Sequence, residues 1–275
     1  MRGAIFKEMI LLVAAGAAMW GGLVALDLGP DESDFELSIE SEDKLGTLLV
    51  EHVTRAHPEV NTALLDSSLA TIVDRLLAQV PSSAYQYRVI VVENSDVNAL
   101  TFPGGHIVIF SGLVEMADTP EELASVIAHE IGHVEEHHVV KKIIKTLGLE
   151  ILMGAATGGD DLLVSEILKT AASIVFDRHQ EREADTFAMD LLVKAGINPR
   201  VMASFFRKVQ ERSSELETKL EMLSNHPENQ SRIRAALQYQ IPPDTEFVPF
   251  EIDWPKVVRS VSGSESDEVV EQLEQ

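Results

Sequence analysis

Two histidines four positions apart, His129 and His133, lie inside an apolar-periodic run from Thr119 to Lys142 and limit what this chain can fold into. Read as one amphipathic helix, the run stacks both imidazoles on a single face, close enough to share a metal ion. Glu130, beside the first histidine, then meets a water on that metal. The chemistry needs these residue types: neutral imidazoles give lone pairs to a cation, and a carboxylate takes the proton of the water. Such a match in a chain with nine histidines arises by chance on the order of a few per cent of the time. The surrounding chain must therefore carry the rest.

The helix start is well specified. Thr119 is an N-cap, Pro120 sits at the first helical position, and Glu122 lies three residues after the cap. Leu123, Val126 and Ile127 bury one side before the histidines arrive. His137 repeats the four-residue spacing, but each such step drifts by about 40° around a helix. A third histidine on that stripe does not converge on a tetrahedral ion, so His137 and His138 read as packing or capping residues.

A catalytic zinc commonly has three protein ligands and a water, so a third ligand must come from elsewhere. Arg178 to Lys194 forms another amphipathic helix, opening Arg178-His179-Gln180-Glu181-Arg182-Glu183-Ala184-Asp185. Glu181 and Asp185 share a face, which lets one carboxylate bind metal and the other orient a histidine ligand. On these residues alone, a charged helix start that offsets the dipole is the better reading. Given the upstream pair, the metal reading takes over.

Other elements frame the site. Helices are expected over Glu42 to Arg55 and Asn61 to Val80, and a strand over Tyr85 to Val92. Gly104 and Gly105 supply a tight turn, and His106 to Phe110 is a strand expected to pair with Tyr85 to Val92 as a hairpin. At a sheet edge, that strand could hold an extended peptide by strand addition. An ordinary hairpin with His106 at the surface fits these residues equally well, and His106 is not offered as a ligand.

The N-terminus bears on location. Arg2 and Lys7 precede an apolar run from Met9 to Leu26, and Asp27, Asp31, Glu32 and Asp34 follow. Basic before and acidic after orients the chain with its N-terminus in the cytoplasm. The run is just long enough to span a bilayer and lacks a good small-residue cleavage site, which favours an uncleaved anchor over a removed signal. The expected organisation is an anchor or signal segment over 1–26, an acidic linker over 27–43, a metallopeptidase domain over 44–240, and a C-terminal extension with an acidic tail over 241–275. The net charge of −23 argues against nucleic acid as a partner. The absence of cysteine excludes disulfides, thiolate nucleophiles and cysteine-ligated zinc.

With Gly104-Gly105-His106-Ile107-Val108-Ile109-Phe110 and Gly112-Leu113 ahead of the two metal motifs and Asn225-His226-Pro227 behind them, residues 42 to 240 resemble a family of zinc metallopeptidases. That family contains HtpX, BepA, the CAAX prenyl protease and the mitochondrial overlapping-activity protease. The resemblance implies a mainly helical α+β, zincin-like domain with a small sheet beside the HExxH helix, preceded by a transmembrane helix. It implies one zinc ion per chain on His129, His133 and Glu181, with Glu130 as general base and Asp185 supporting a ligand. Glu183 is the competitor for third ligand, and the family spacing selects Glu181. The strand Gly105, His106, Ile107, Val108 would border the substrate cleft, and His226 would stabilise the oxyanion or block the zinc.

Proteins or peptides, damaged or misassembled membrane or envelope proteins among them, are the implied substrates, with the membrane as a partner through the N-terminal helix. An oligomer is compatible with the sequence. The implied location is a bacterial inner membrane, single-pass, facing the periplasm; a cleaved, soluble periplasmic form is the alternative, and a mitochondrial inner membrane fits less well. The rival reading is a non-catalytic zinc-containing binding or chaperone-like factor, against which Glu130 argues. Lys141 to Phe176 lacks the paired spanning helices of the polytopic members, so the chain resembles the mostly soluble, single-anchor branch of the family, with which a membrane-facing flap is compatible. The stretch after Gln240 carries no helical repeat array, and Ser260 to Gln275 reads as a disordered or weakly helical tail.

Overall fold

The computed structural model describes residues 37–156, 161–215, 222, 225–226 and 229–262. The expected anchor over 1–26 and most of the acidic linker lie outside these residues, as does the tail beyond Ser262. Among the described residues, no helix is long and apolar enough to cross a membrane.

The architecture is mainly helical with one small sheet. Two helices, α1 (Ile39–Ala56) and α2 (Ala63–Leu77), precede strands β1 (Arg88–Val92), β2 (Ala99–Phe102) and β3 (His106–Phe110). Helix α1 starts three residues before the expected Glu42, because the Ser38 side chain accepts from the Ser41 N–H as an N-cap. Helices α3 (Ser111–Met116), α4 (Pro120–Glu135), α5 (His138–Leu147), α6 (Leu149–Ala156), α7 (Asp161–Ala172) and α8 (Arg178–Lys194) follow. The described chain closes with α9 (Val201–Glu215), α10 (Asn229–Gln238) and α11 (Trp254–Val261).

The sheet differs from the expected hairpin. Its order is β1-β3-β2, with β1 parallel to β3 and β2 antiparallel to it. The tight turn at Pro103–Gly105, with Gly104 at φ 77° and Gly105 at φ 84°, joins β2 to β3 rather than β1 to β3. Two consequences correct the strand-addition reading of Gly105, His106, Ile107 and Val108. Strand β3 is central, so its backbone groups are taken up by ladders on both sides, and the edge strands are β1 and β2. His106 is buried rather than at the surface, with its Nε2 3.1 Å from Asp43 Oδ1 and its ring against Gly46 of α1, where a Cβ would clash.

The run Thr119 to Lys142 is two helices, not one. Helix α4 begins as the sequence dictates: Thr119 accepts from the Glu122 N–H, and Glu122 accepts in turn from the Asp118 N–H. It stops at His137, whose φ of 56° is left-handed. A non-glycine residue there costs of order 1–2 kcal/mol, and Tyr85 Oη holds it by contact with His137 Nδ1 at 2.9 Å. The break turns His138 back towards α4. In an unbroken helix, residue 138 would lie about 140° around the axis from residue 133.

Helix α4 is the centre of the core. Leu123, Ala124, Ile127, Ala128 and Ile131 are fully buried, packed with residues of α2, α8, α9 and the sheet. Helix α8 lies against α4 along its length, starting from a capping box between Asp177 and Gln180. The described part of the C-terminal extension also joins this core: Trp254 and Val257 of α11 are buried, and Trp254 Nε1 donates to Ala117 O at 2.7 Å. In the expected flap, α5, α6 and α7 pack on one another and the last two on α1, while Met153, Leu162 and Val175 are exposed apolar side chains.

Candidate metal centre

His129 and His133 do lie one above the other on α4, with their Nε2 atoms 3.0 Å apart. Glu181, one turn into α8, brings Oε1 to 3.5 Å from His133 Nε2 and Oε2 to 3.9 Å from His129 Nε2. His226 arrives from the segment before α10, with Nδ1 3.2 Å from His129 Nε2 and 2.8 Å from Glu181 Oε1. The four donor atoms all lie within 4.8 Å of one another, and all four residues are buried. Zinc with ligands at 2.0–2.1 Å in a tetrahedron sets its donor atoms about 3.3 Å apart. The observed spacings bracket that value.

The donor chemistry fits a cation better than it fits hydrogen bonding. Three imidazole nitrogens and a carboxylate converge, more acceptors than the available ring protons satisfy. Glu130 Oε1 and Glu181 Oε2 are buried without a hydrogen-bond partner. Arg232 Nη1 does approach Glu181 Oε2 at 2.9 Å, but as an ion pair off the hydrogen-bond direction. The charges respond accordingly. Burial opposes ionisation of Glu181, yet His226 and Arg232 outweigh it and hold the carboxyl well below its ordinary range. Burial likewise disfavours a charged His226, while the Glu181 and Glu130 carboxylates raise it above its ordinary value. His133 is driven well below by burial, so it stands ready as a neutral ligand.

A shell of partners surrounds the donors. Asp185 Oδ1 lies 3.0 Å from His129 Nδ1, the arrangement expected of a carboxylate that fixes a ligand's tautomer. Arg232, from α10, donates to that carboxylate through Nε at 2.9 Å and Nη2 at 2.7 Å, and its guanidinium sits 4.1 Å above the Phe206 ring. Phe176 stacks on His133 with ring centroids 3.9 Å apart, and its N–H bonds Asn225 O, tying the start of α8 to the His226 segment. Glu130 is held by a hydrogen bond from Thr101 Oγ1 of β2 at 2.5 Å, and its Oε1 lies 3.8 Å from His226 Nε2.

Three of these residues escaped the sequence reading. Thr101 carries no sequence signal, because a threonine in a strand is ordinary. Arg232 has a faint one, a cation at helical spacing with the buried Ala236. The sequence gives His138 only a packing or capping part; its ring is buried, with Nδ1 2.9 Å from His133 Nδ1 and Nε2 3.3 Å from Glu183 Oε2. Burial lowers its pKa, with Glu183 opposing in part. Glu183 itself points away from the donor cluster, towards His138 and His179.

Residues 63–240 match the model of peptidase family M48. The chain is 32% identical over 240 residues to the β-barrel assembly-enhancing protease of Yersinia pestis, an alignment covering 82% of this chain and 49% of that protein. It is 32% identical over 171 residues to metalloprotease LoiP of Escherichia coli, covering 60% of this chain and 66% of that protein. With the mitochondrial metalloendopeptidase OMA1 of Arabidopsis thaliana it shares 31% identity over 159 residues, covering 56% of the chain and 32% of the relative. The chain spans about half the length of the assembly-enhancing proteases it matches. A family model that spans both helices of the donor cluster, together with a relative aligned over most of the chain, identifies this protein as a member of peptidase family M48.

Proposed function

We propose that the chain is a zinc-dependent endopeptidase with His129, His133 and Glu181 as metal ligands and Glu130 as general base. The observation that carries this is the buried cluster of four donor atoms within 4.8 Å, with the unpartnered Glu130 Oε1 beside it. Zinc bound there supplies Lewis acidity, lowering the pKa of water and polarising a carbonyl. Thr101 fixes one oxygen of Glu130 and so aims the other, Oε1, at the proton to be taken from water and handed to the leaving amine. Asp185, backed by Arg232, keeps the proton of His129 on Nδ1 and leaves the Nε2 lone pair to the metal.

His226 has a different part. Its Nδ1 lies 3.2 Å from His129 Nε2 and 2.8 Å from Glu181 Oε1, so it would compete with a water or substrate oxygen for a zinc ion held there. Cleavage would then require the His226 ring to leave the donor cluster. An extended substrate fits beside β2 better than β3, since β2 is an edge strand and its Thr101 touches Glu130.

The substrates we infer are damaged or misassembled envelope proteins, in keeping with relatives named for enhancing β-barrel assembly. The charge pattern around Met9 to Leu26 supports a bacterial inner-membrane anchor with the domain in the periplasm. Glu130→Gln tests the chemistry. The variant should keep its zinc and lose cleavage of an unfolded protein; cleavage at the wild-type rate would remove Glu130 from the mechanism.

A further inference from the structure

We propose that His138 and Glu183 are positioning residues that set the tautomer and ring orientation of His133, and through it the strength with which the chain holds its metal. The inference rests on the zinc reading of the centre and assigns a role to two residues which that reading leaves unused.

The direction of each hydrogen bond follows from the geometry. His133 Nε2 faces His129 Nε2 and Glu181 Oε1, so in the metal-bearing state this nitrogen keeps its lone pair and Nδ1 carries the proton. The partner of that proton is His138 Nδ1 at 2.9 Å. His138 accepts there only if its own proton is on Nε2, and Nε2 faces Glu183 Oε2 at 3.3 Å. A carboxylate is an acceptor, so the chain closes without conflict: His133 donates to His138, and His138 donates to Glu183. Glu183 Oε2 is also 2.8 Å from Nδ1 of His179, which pins the carboxylate from its own helix.

The backbone is built to bring this about. Only because the chain turns through left-handed His137 does His138 come back over α4 beside His133. The two ligand histidines therefore have different supports: a carboxylate directly on His129, and a neutral imidazole backed by a carboxylate on His133. Stacking by Phe176 fixes the plane of the His133 ring and leaves its rotation within that plane to His138.

Zinc affinity of the full chain, measured by competition with a chromophoric chelator at fixed pH, tests the proposal. His138→Leu removes the acceptor and should weaken binding about 10- to 100-fold, the usual effect of losing such a partner. His138→Asn places a carbonyl oxygen near the position of Nδ1 and should recover most of that loss. Nitrogen NMR of the zinc-loaded wild type should show the His133 proton on Nδ1. Glu183→Gln, at a half-exposed site that tolerates change, should weaken binding by a smaller factor. Wild-type affinity in both His138→Leu and Glu183→Gln, or equal weakness of His138→Asn and His138→Leu, overturns the proposal and leaves the zinc centre standing. Failure of the wild type itself to bind zinc overturns the centre. If His138→Leu does not fold, the Glu183→Gln affinity and the His133 tautomer decide alone.

Discussion

Gly132 of α4 lies directly on the backbone of Ala184 of α8: a Cβ there would stand 2.9 Å from Ala184 O and 3.0 Å from its Cα. This contact sets the distance between the helix that carries His129 and His133 and the helix that carries Glu181 and Asp185. Gly132→Ala should therefore act on the site as well as on stability. Helix propensity favours alanine by about 1 kcal/mol, but overpacking against an unyielding backbone costs about 1–3 kcal/mol. The clash wins, and both melting temperature and zinc affinity should fall. A variant more stable than wild type, with unchanged affinity, would show that the two helices have room to spare.

Arg232 is the cation that lets Glu181 and Asp185 be buried side by side. Removing one partner of a buried pair typically costs about 3–5 kcal/mol, because the remaining charge is left uncompensated. Arg232→Met should destabilise the metal-free protein by that order. Zinc restores positive charge beside Glu181, so the stabilisation gained on adding zinc should be larger in the variant than in wild type. Urea unfolding of both proteins, with and without zinc, measures the difference; equal gains would mean that Arg232 and the metal do not share the carboxylate.

Thr101→Val keeps the shape of the strand and deletes the hydrogen bond to Glu130. A bond to a charged group contributes about 1.5–3 kcal/mol, and each 1.36 kcal/mol in a barrier is tenfold in rate. Turnover should fall by about 10- to 100-fold with zinc content unchanged. Loss of zinc in this variant would point to a folding role for Thr101 instead.

Acid stability of the metal-free chain should reflect its depressed carboxylates. Asp185 is burdened by desolvation, which raises its pKa, but Arg232 and His129 outweigh this and bring it to about 2. Its unfolded value is about 3.9. A depressed folded pKa gives stability that is present above the unfolded value and lost as pH falls through the folded one. For Asp185 the window runs from about pH 4 to about pH 2, and roughly 2 kcal/mol disappears across it. Glu181, lowered in the same direction, adds to the loss. Urea midpoints across this range should drop steeply in wild type. Asp185→Asn, already weaker at neutral pH, should drop less; parallel curves would remove Asp185 from the acid transition.

Local signals made much of this molecule readable before its structure. The cap at Thr119, the stacked pair His129 and His133, and the turn glycines Gly104 and Gly105 each act within a few residues, and each appears where the sequence puts it. Pairings across the chain were less visible. The β-branched and aromatic residues of β1 and β3 say that both are strands, but not that they run parallel with β2 on the far side. The break at His137 was hidden because α4 and α5 are both amphipathic, and the periodicity continues almost unchanged through the left-handed residue. Arg232 and Thr101 act through contacts 47 and 29 positions away in sequence, which no motif spacing records. Glu181 was separated from Glu183 by family spacing, and the side chains now point to different partners: one to the donor cluster, the other to His138.

The central claim is that the buried cluster of His129, His133 and Glu181 is a zinc site built beside a base. Zinc stoichiometry, measured on the purified full chain and on its Glu181→Gln and Glu130→Gln variants, tests it most directly. One zinc per chain in wild type and in Glu130→Gln, with loss in Glu181→Gln, is the predicted result. Full zinc in Glu181→Gln, or a wild-type chain that takes up none, would contradict it.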